Sequence, residues 1–396
     1  MSAQTLNPDW AKLPIFDRSR WKRLRFGEFA QSVNARVNPG EAVEDIYVGL
    51  EHLDPQNLHI RRWGKGRDVI GTKLRFRKGD IIFGRRRAYQ RKLAVAEFDG
   101  ICSAHSMVVR AKPEIVLPEF LPFLMMSDRF MNRAIDISVG SLSPTINWTT
   151  LKMEEFALPP LDQQRLIAEI LWAVDEVLTN LETVLQANDD FAAAIRNEVA
   201  SGGYPKKRLE EIATLITKGE SPRWQGFEYQ DDGAVFITSE NVLFGCYQSE
   251  PRKHIPLEFH RKLYRSELQR GDVLFNLVGA SIGRGCVLPE IGKKANVNQA
   301  VAVVRLDVNT AKPEFILSYL LSQRGLRAIL GSVVNTARAN VSLASLRKTW
   351  IPVPPLPVQS DICNRLSELD QVRTLIRANM KSLHSTCDAF FTEVLR

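Results

Sequence analysis

Apolar residues recur at alternating three- and four-residue intervals along residues 158–200. The series is Ile167, Ile170, Val174, Val177, Leu181, Val184, Phe191 and Ile195, with Asn188 as its polar member. The same spacing runs through residues 353–396, at Ile362, Leu369, Val372, Ile376, Leu383 and Phe390, interleaved with Arg365, Asn379 and Thr386. A seven-residue period marks a coiled-coil seam. Each stretch predicts a helix of about 39 residues, roughly 58 Å long. Two readings fit: one core helix for each of two domains, or helix packed on helix. The polar faces and the position of each stretch after a globular segment favour antiparallel pairing, with the domains at opposite ends about a pseudo-dyad. Asn188 and Asn379 on the seams would then fix register. Upstream of each helix the pattern changes to short β-like runs, at 43–50 and 80–83, then at 234–238 and 273–277. An amphipathic helical stretch follows in each case, 118–134 and 313–330, and then a polar loop, 140–147 and 335–342.

The two halves are copies. Residues 102–199 align with 297–394 without a gap at a constant offset of 195. Between 158–177 and 353–372, 8 of 20 residues are identical, among them Pro159, Pro160, Leu161 and Gln164. Average composition would give about one match. Gly79-Asp80-Ile81-Ile82-Phe83 recurs as Gly271-Asp272-Val273-Leu274-Phe275. Ile46-Tyr47-Val48 with Glu51 recurs as Val235-Phe236-Ile237 with Glu240, and Lys22-Arg23-Leu24 aligns with Lys207-Arg208-Leu209. The offset shrinks stepwise toward the N-terminus, so insertions separate fixed segments. The expected division is 1–157 and 201–352 as globular domains, with 158–200 and 353–396 as helices. Variable loops on a constant scaffold are where recognition resides.

Charge adds a partner. The chain of 396 residues carries a net +8, which solubility alone could explain. The distribution argues otherwise. Between Arg61 and Lys92 lie thirteen basic residues, including Arg62, Lys73, Arg85, Arg86, Arg87 and Arg91, against Asp68 and Asp80 only. So dense a block calls for a polyanion or ample solvent. The five cysteines show no C-x-x-C pair, which reads as reduced thiols in a cytoplasmic protein. No apolar run reaches 18 residues and Met1 to Asp17 has no signal pattern, so no membrane association is expected.

Motifs for catalysis are missing. No G-x-x-x-x-G-K-[ST], H-E-x-x-H or G-x-S-x-G occurs. The glycines of 279–285 lack the Lys-Ser/Thr of a phosphate loop. Leu161 and Leu356, rather than an aromatic residue, follow the Pro-Pro pairs, unlike an adenine methyltransferase motif. The six histidines show no metal spacing, and His52 and His105 align with Asn241 and Ala300, so neither is repeated. A nuclease or methyltransferase acting alone would need one of these motifs, and a plain scaffold would not need the basic block.

The duplicated domain-helix plan, the Pro-Pro-Leu-x-x-Gln entry to each long helix and the Gly140-Ser141 to Ile146-Asn147 loop before the first resemble specificity subunits of type I restriction-modification enzymes. The second copy departs in detail: Asn335-Thr336 stands for Gly140-Ser141, and Asp361 and Asn364 for Leu166 and Glu169. The resemblance implies an α+β chain with two similar target-recognition domains in tandem, each followed by a long α-helix, the helices pairing as an antiparallel coiled coil. Each domain would read one half of a bipartite, asymmetric site in double-stranded DNA. The helices would space the halves and dock two modification subunits, which bind S-adenosylmethionine and methylate adenine. Restriction subunits using ATP and magnesium can join. The chain itself would hold no cofactor or metal and would not be an enzyme. On this reading Lys and Arg neutralise phosphates while Arg, Gln and Ser read base edges. In the first domain the expected contacts are Arg61, Arg62, Arg85, Arg86, Arg87, Tyr89, Gln90 and Lys92. In the second they are Lys218, Ser221, Arg223, Trp224, Gln225, Ser281 and Arg284. The alternative for each is a solvated surface side chain.

Overall fold

The computed structural model describes residues 13–43, 45–330 and 341–395. The chain forms two compact units: Met1–Glu182 with Ala378–Arg396, and Thr183–Arg377. Each unit contains a four-stranded antiparallel sheet of the same order. In the first unit the strands run Ala30–Val33, Met107–Ala111, Ile81–Phe83, Leu93–Val95; in the second, Ala213–Lys218, Val301–Leu306, Val273–Asn276, Gly285–Val287. Each unit also carries a parallel pair that takes up the repeated apolar triplet: Ile46–Val48 beside Gly100–Cys102, and Ala234–Ile237 beside Ala295–Val297. The third strands, Ile81–Phe83 and Val273–Asn276, are buried on both faces, so they read as continuous apolar runs.

Two buried polar devices repeat with the scaffold. In the Gly-Asp turns, Gly79 and Gly271 both have φ +88, which a side chain would strain. The aspartates that follow, each 1% exposed, receive a forked guanidinium: Asp80 from Arg110 at 2.6 and 2.9 Å, Asp272 from Arg305 at 2.8 and 2.8 Å. These pairs bind the turn to the neighbouring strand through charge-assisted bonds. The second device is the glutamine of the Pro-Pro-Leu-x-x-Gln segment. Gln164 accepts from the Leu117 N–H at 2.8 Å and donates to the carbonyls of Ile115 at 3.0 Å and Pro159 at 2.9 Å. Gln359 repeats this with the Lys312 N–H and the Thr310 and Pro354 carbonyls. Both side chains are buried, so nearly their full bonding capacity is used inside the protein. Gln163 beside the first has no such counterpart, because Val358 stands there.

Several expectations need correction. The N-terminal pairing of Arg23 with Arg208 is out of register. Arg25 faces Glu155 and Arg208 faces Trp350, which makes Arg25 the counterpart. Each of the two is followed by a one-turn helix closed by a glutamate, Glu28 or Glu211. The amphipathic stretches are not single helices. They break into Leu121–Met126 and Asp128–Asp136, and into Pro313–Leu320 and Gln323–Leu330. Ser127 and Ser322 cause both breaks: each hydroxyl bonds a carbonyl behind it and caps an N–H ahead of it. The polar loop expected at 335–342 lies almost entirely outside the described residues.

The long helices are Leu161–Ser201 and Leu356–Leu395. Within the first unit Ile167, Ala168 and Leu171 share a core with Val394 and Leu395, and the Asp175 carboxylate faces Cys387. Within the second unit the Asn188 side chain donates to the Leu369 carbonyl at 3.1 Å and Arg373 bonds Asp189 at 2.6 Å. The helices pair antiparallel. The heptad phase, however, is only half as expected. Ile167, Val174, Leu181, Asn188 and Ile195 face inward, but Ile170, Val177, Val184 and Phe191 are 37–54% exposed. Leu171, Leu178, Leu185, Ala192 and Val199 take their place. In the second helix Arg365, Val372, Asn379 and Thr386 are likewise exposed, replaced by Leu366, Arg373, Met380, Cys387 and Val394. Asn379 therefore fixes no register, whereas Asn188 is buried in the seam. Adjacent apolar pairs such as Ile170-Leu171 satisfy a seven-residue period equally well. The clamped glutamine chooses between them, because Leu171 and Leu366 lie seven residues beyond Gln164 and Gln359 and so on nearly the same face.

Gln164→Ala should strand the Leu117 N–H and two carbonyls in an apolar core and cost about 1–3 kcal/mol. Urea unfolding followed by circular dichroism would measure it. Gln164→Glu should cost at least as much, since a carboxylate cannot donate to the Ile115 and Pro159 carbonyls.

Candidate nucleic-acid interface

In each unit expected contact residues cluster on the hairpin that joins the third and fourth strands of the sheet. In the first unit this loop runs from Gly84 to Lys92 and holds a 3-10 turn, Ala88–Gln90. Arg87 and Arg91 flank the turn in left-handed conformation, φ 59 and 51, unusual for residues with a side chain. The strain is held by neighbours. Arg87 N–H donates to the Pro144 carbonyl, Ile146 N–H to the Arg85 carbonyl, and Arg86 forms a bridge with Thr145. The polar loop 140–147 thus acts as a brace for the hairpin. Lys92 Nζ donates to the Leu50 carbonyl at 2.7 Å and draws in the segment that carries Glu51.

Arg85 and the two arginines after it line different clefts. Arg86, Arg87, Gln90 and Lys92 meet Glu51 and His105 around a cleft of about 410 Å³. Arg85 lines another, of about 420 Å³, with Arg36, Lys73, Ser106 and Trp148. There the Ser106 hydroxyl and Arg85 Nε are buried without partners, while Arg85 Nη2 donates to the Ala104 carbonyl. Tyr89 projects at 55% exposure. His105 and Glu51 lie outside the set of contacts expected from sequence. The repeat of Glu51 as Glu240 is visible there, whereas the lack of any repeat for His105 argues against a role.

Much of the positive block is neutralised by acids from outside it. Arg61 bonds Glu182 at 2.6 Å, Arg62 pairs with Asp54, Arg67 approaches Asp45 at 4.0 Å and Arg91 bonds Asp128 at 2.6 Å. Lys73 is buried on the carbonyls of Ile70 and Gly71. Arg86 and Arg87 have no carboxylate partner among the described residues, and Arg87 Nε reaches only the Ser143 hydroxyl at 3.3 Å. Arg86 and Arg87 therefore keep their charge free at the hairpin, as the exposed Lys65, Arg77 and Lys78 do elsewhere in the block, whereas Arg61 and Arg62 are engaged by carboxylates.

Beside Arg61, His59 ties the first globular domain to the first long helix. Its Nδ1 meets Glu97 at 2.5 Å and its Nε2 meets Asp175 at 2.6 Å. Burial opposes a charged ring, but the two carboxylate bonds outweigh it and raise the pKa above 6.5. With acceptors on both nitrogens the imidazolium is the form that satisfies the site.

The second unit is built differently. Its hairpin turns through Gly279–Ser281, where Ser281 Oγ donates to the Val278 carbonyl and Arg284 is exposed. Lys218 ends the strand Ala213–Lys218, and Ser221, Arg223, Trp224 and Gln225 lie in the loop that follows it. Trp224 sits on a 3-10 turn at 81% exposure. Gln225 bonds Glu220 and Arg223 lies 3.8 Å from Glu228. Glu220, Glu228, Asp231 and Asp232 outnumber Lys218 and Arg223 here, so this segment is acidic on balance. Among the described residues no group of three His, Cys, Asp or Glu could hold a metal ion, and no helix is long and apolar enough to cross a membrane.

A duplicated scaffold that braces different polar loops, with long helices entered through a buried glutamine, defines a two-domain recognition chain. The family model of the type I restriction modification DNA specificity domain matches residues 68–188 and 203–383, and the chain belongs to that family. The type I restriction enzyme EcoDI specificity subunit of Escherichia coli is 27% identical over 188 residues, 45% of this chain and 39% of that protein. The match thus spans less than half of the E. coli relative. The MjaVIII specificity subunit of Methanocaldococcus jannaschii is 18% identical over 92% of this chain and 89% of its own length. A type I restriction-modification S subunit from M. genitalium shares the fold, with a TM-score of 0.58 at 14% identity over 95% of this chain and 96% of that one.

Replacing Arg86 and Arg87 together by Ala should weaken duplex binding and flatten its log–log salt dependence, by about 0.9 for each phosphate no longer neutralised. Arg61→Ala with Arg62→Ala should change the slope less; titration across a KCl series compares the two variants. The His59 contribution to stability should be complete below about pH 6.5 and lost as pH rises through the raised folded pKa. His59→Gln should abolish that loss in urea melts at pH 6 and pH 8.

Proposed function

We propose that this chain is the non-catalytic specificity subunit of a type I restriction-modification complex and reads a bipartite, asymmetric target in double-stranded DNA. One half is read by residues 1–157 and the other by 201–352. The carrying observation is the repeated sheet whose equivalent hairpins differ. The first is braced, strained and rich in arginines without carboxylate partners. The second has the same length but turns on glycines and carries a single arginine, Arg284. Equivalent scaffolds with dissimilar tips suit two dissimilar half-sites.

Partner subunits supply the chemistry on this reading. Two modification subunits carry S-adenosylmethionine, restriction subunits carry ATP and magnesium, and the assembly works in the cytoplasm. The long helices offer docking surface, since the exposed Ile170 and Val177 of the first unit and Val184 and Phe191 of the second lie at seven-residue steps. Within the first domain Arg85, Arg86, Arg87, Tyr89, Gln90 and Lys92 form the reading surface; Ser281, Arg284 and Trp224 are its members in the second.

Exchange of residues 1–157 for those of a relative with a different target tests the proposal. Mapping of methylated adenines in cells carrying the hybrid should show one half of the site changed and the other retained. Alteration of both halves, or of neither, would overturn the assignment of one reader per domain.

A further inference from the structure

Glu51 is out of place on a surface that serves only to hold phosphates. It is exposed and lines the same cleft as Arg86, Arg87, Gln90 and Lys92, where a phosphate would be repelled by it. It makes no ion pair or hydrogen bond among the described residues, although three cations line the cleft. Its counterpart Glu240 in the second unit behaves as surface glutamates usually do, held by Lys253 at 2.6 Å with its carboxyl below the usual range. The segment bearing Glu51 is pinned by the Lys92 bond to the Leu50 carbonyl and by reciprocal bonds between Gly49 and His52. The backbone that carries the carboxylate is therefore fixed, and the carboxylate itself lies over Gly49 at the edge of the cleft. Arg86 is uncommitted too, its guanidinium having no partner among the described residues.

An unpaired carboxylate accepts hydrogen bonds and donates none. Among base edges in the major groove, thymine and guanine present acceptors that repel it, and adenine places its N7 acceptor beside its amino group. Cytosine presents the N4 amino donor without an adjacent acceptor. The guanine paired with it offers O6 and N7, the acceptors that suit a guanidinium fork. Resting on the DNA-reading function above, we propose that Glu51 and Arg86 together read one C·G base pair, Glu51 accepting from cytosine N4 and Arg86 donating to the guanine of the same pair. Gln90 and Arg87 flank this contact.

The test is selection of duplexes from a random pool by the full chain, together with any subunits that co-purify, followed by sequencing. The wild-type chain should select a half-site containing a C·G pair that Glu51→Ala and Arg86→Ala both relax, at the same position. Discrimination there should fall roughly five- to 150-fold, with the other positions kept. Glu51→Gln should relax the same position, because its amide can rotate to suit other bases. The inference is overturned if Glu51→Ala leaves every position unchanged, if it tightens binding to all duplexes alike by relieving local repulsion, or if the relaxed position is an A·T pair. A wild-type chain that selects no sequence at all would instead overturn the DNA-reading function itself.

Discussion

The buried glutamine at the start of each long helix is the constraint on which the rest of the molecule depends. Gln164 and Gln359 each bind one N–H and two carbonyls from loop segments that lie outside the strands and helices. An amide is the side chain that can do this, since it offers a donor and an acceptor in one plane. The clamp fixes where the helix starts and how it is rotated about its axis. In the first helix rotation in turn decides which of two adjacent apolar residues, such as Ile170 and Leu171, enters the seam. The inward row beginning at Leu171 follows from Gln164, and the row beginning at Leu366 follows from Gln359. The Asp80–Arg110 and Asp272–Arg305 forks do the equivalent work in the sheets, holding the hairpin strands at a fixed distance from their neighbours. Everything exposed at the hairpin tips is built on these few saturated polar contacts.

Charge on this protein is informative only after the pairs are removed. The basic block of residues 61–92 is uniform along the chain, yet its arginines divide by partner. Arg61, Arg62 and Arg91 face carboxylates from other segments and add little to an external field. Arg86 and Arg87 face none. The distinction is one of solvation as well as charge, because a paired guanidinium must leave its carboxylate before it can meet a phosphate. His59 belongs to the paired group: as an imidazolium between Glu97 and Asp175 it fastens the first helix to its domain rather than reaching outward.

The repeat makes the architecture legible, because buried triplets and the glutamine segment keep their identity when a domain is copied. Fold class and helix pairing can both be read from it. The heptad phase cannot. Ile170 and Leu171 are both apolar, and only the three-dimensional clamp on Gln164 separates them. The N-terminal register is lost in sequence because Lys-Arg-Leu is too short to anchor an alignment, whereas the strand pairing of Arg25 and Arg208 is unambiguous. The breaks at Ser127 and Ser322 are hidden since serine tolerates helices as well as capping them. Within the candidate site, residue type identifies Arg86, Arg87 and Gln90, but no linear pattern brings Glu51 and His105 to them. Those two arrive through a strand crossing and the Lys92 tether.

The two units also show why one binding chemistry cannot be carried from copy to copy. The strands and the length of the hairpin stay while the residues at the tip change, so the tips drift apart in composition. In the first unit the tip is cationic and held under backbone strain by the 140–147 brace. In the second the prominent loop is acidic and presents Trp224 at its apex. An acidic, aromatic loop gains little from phosphates and must interact through apolar contact or through donors on its partner. The Glu240–Lys253 pair closes the acceptor that Glu51 leaves open. Duplication has thus preserved the means of positioning a loop and released what the loop carries, which is the separation a chain needs if it is to read two unlike sequences with one fold.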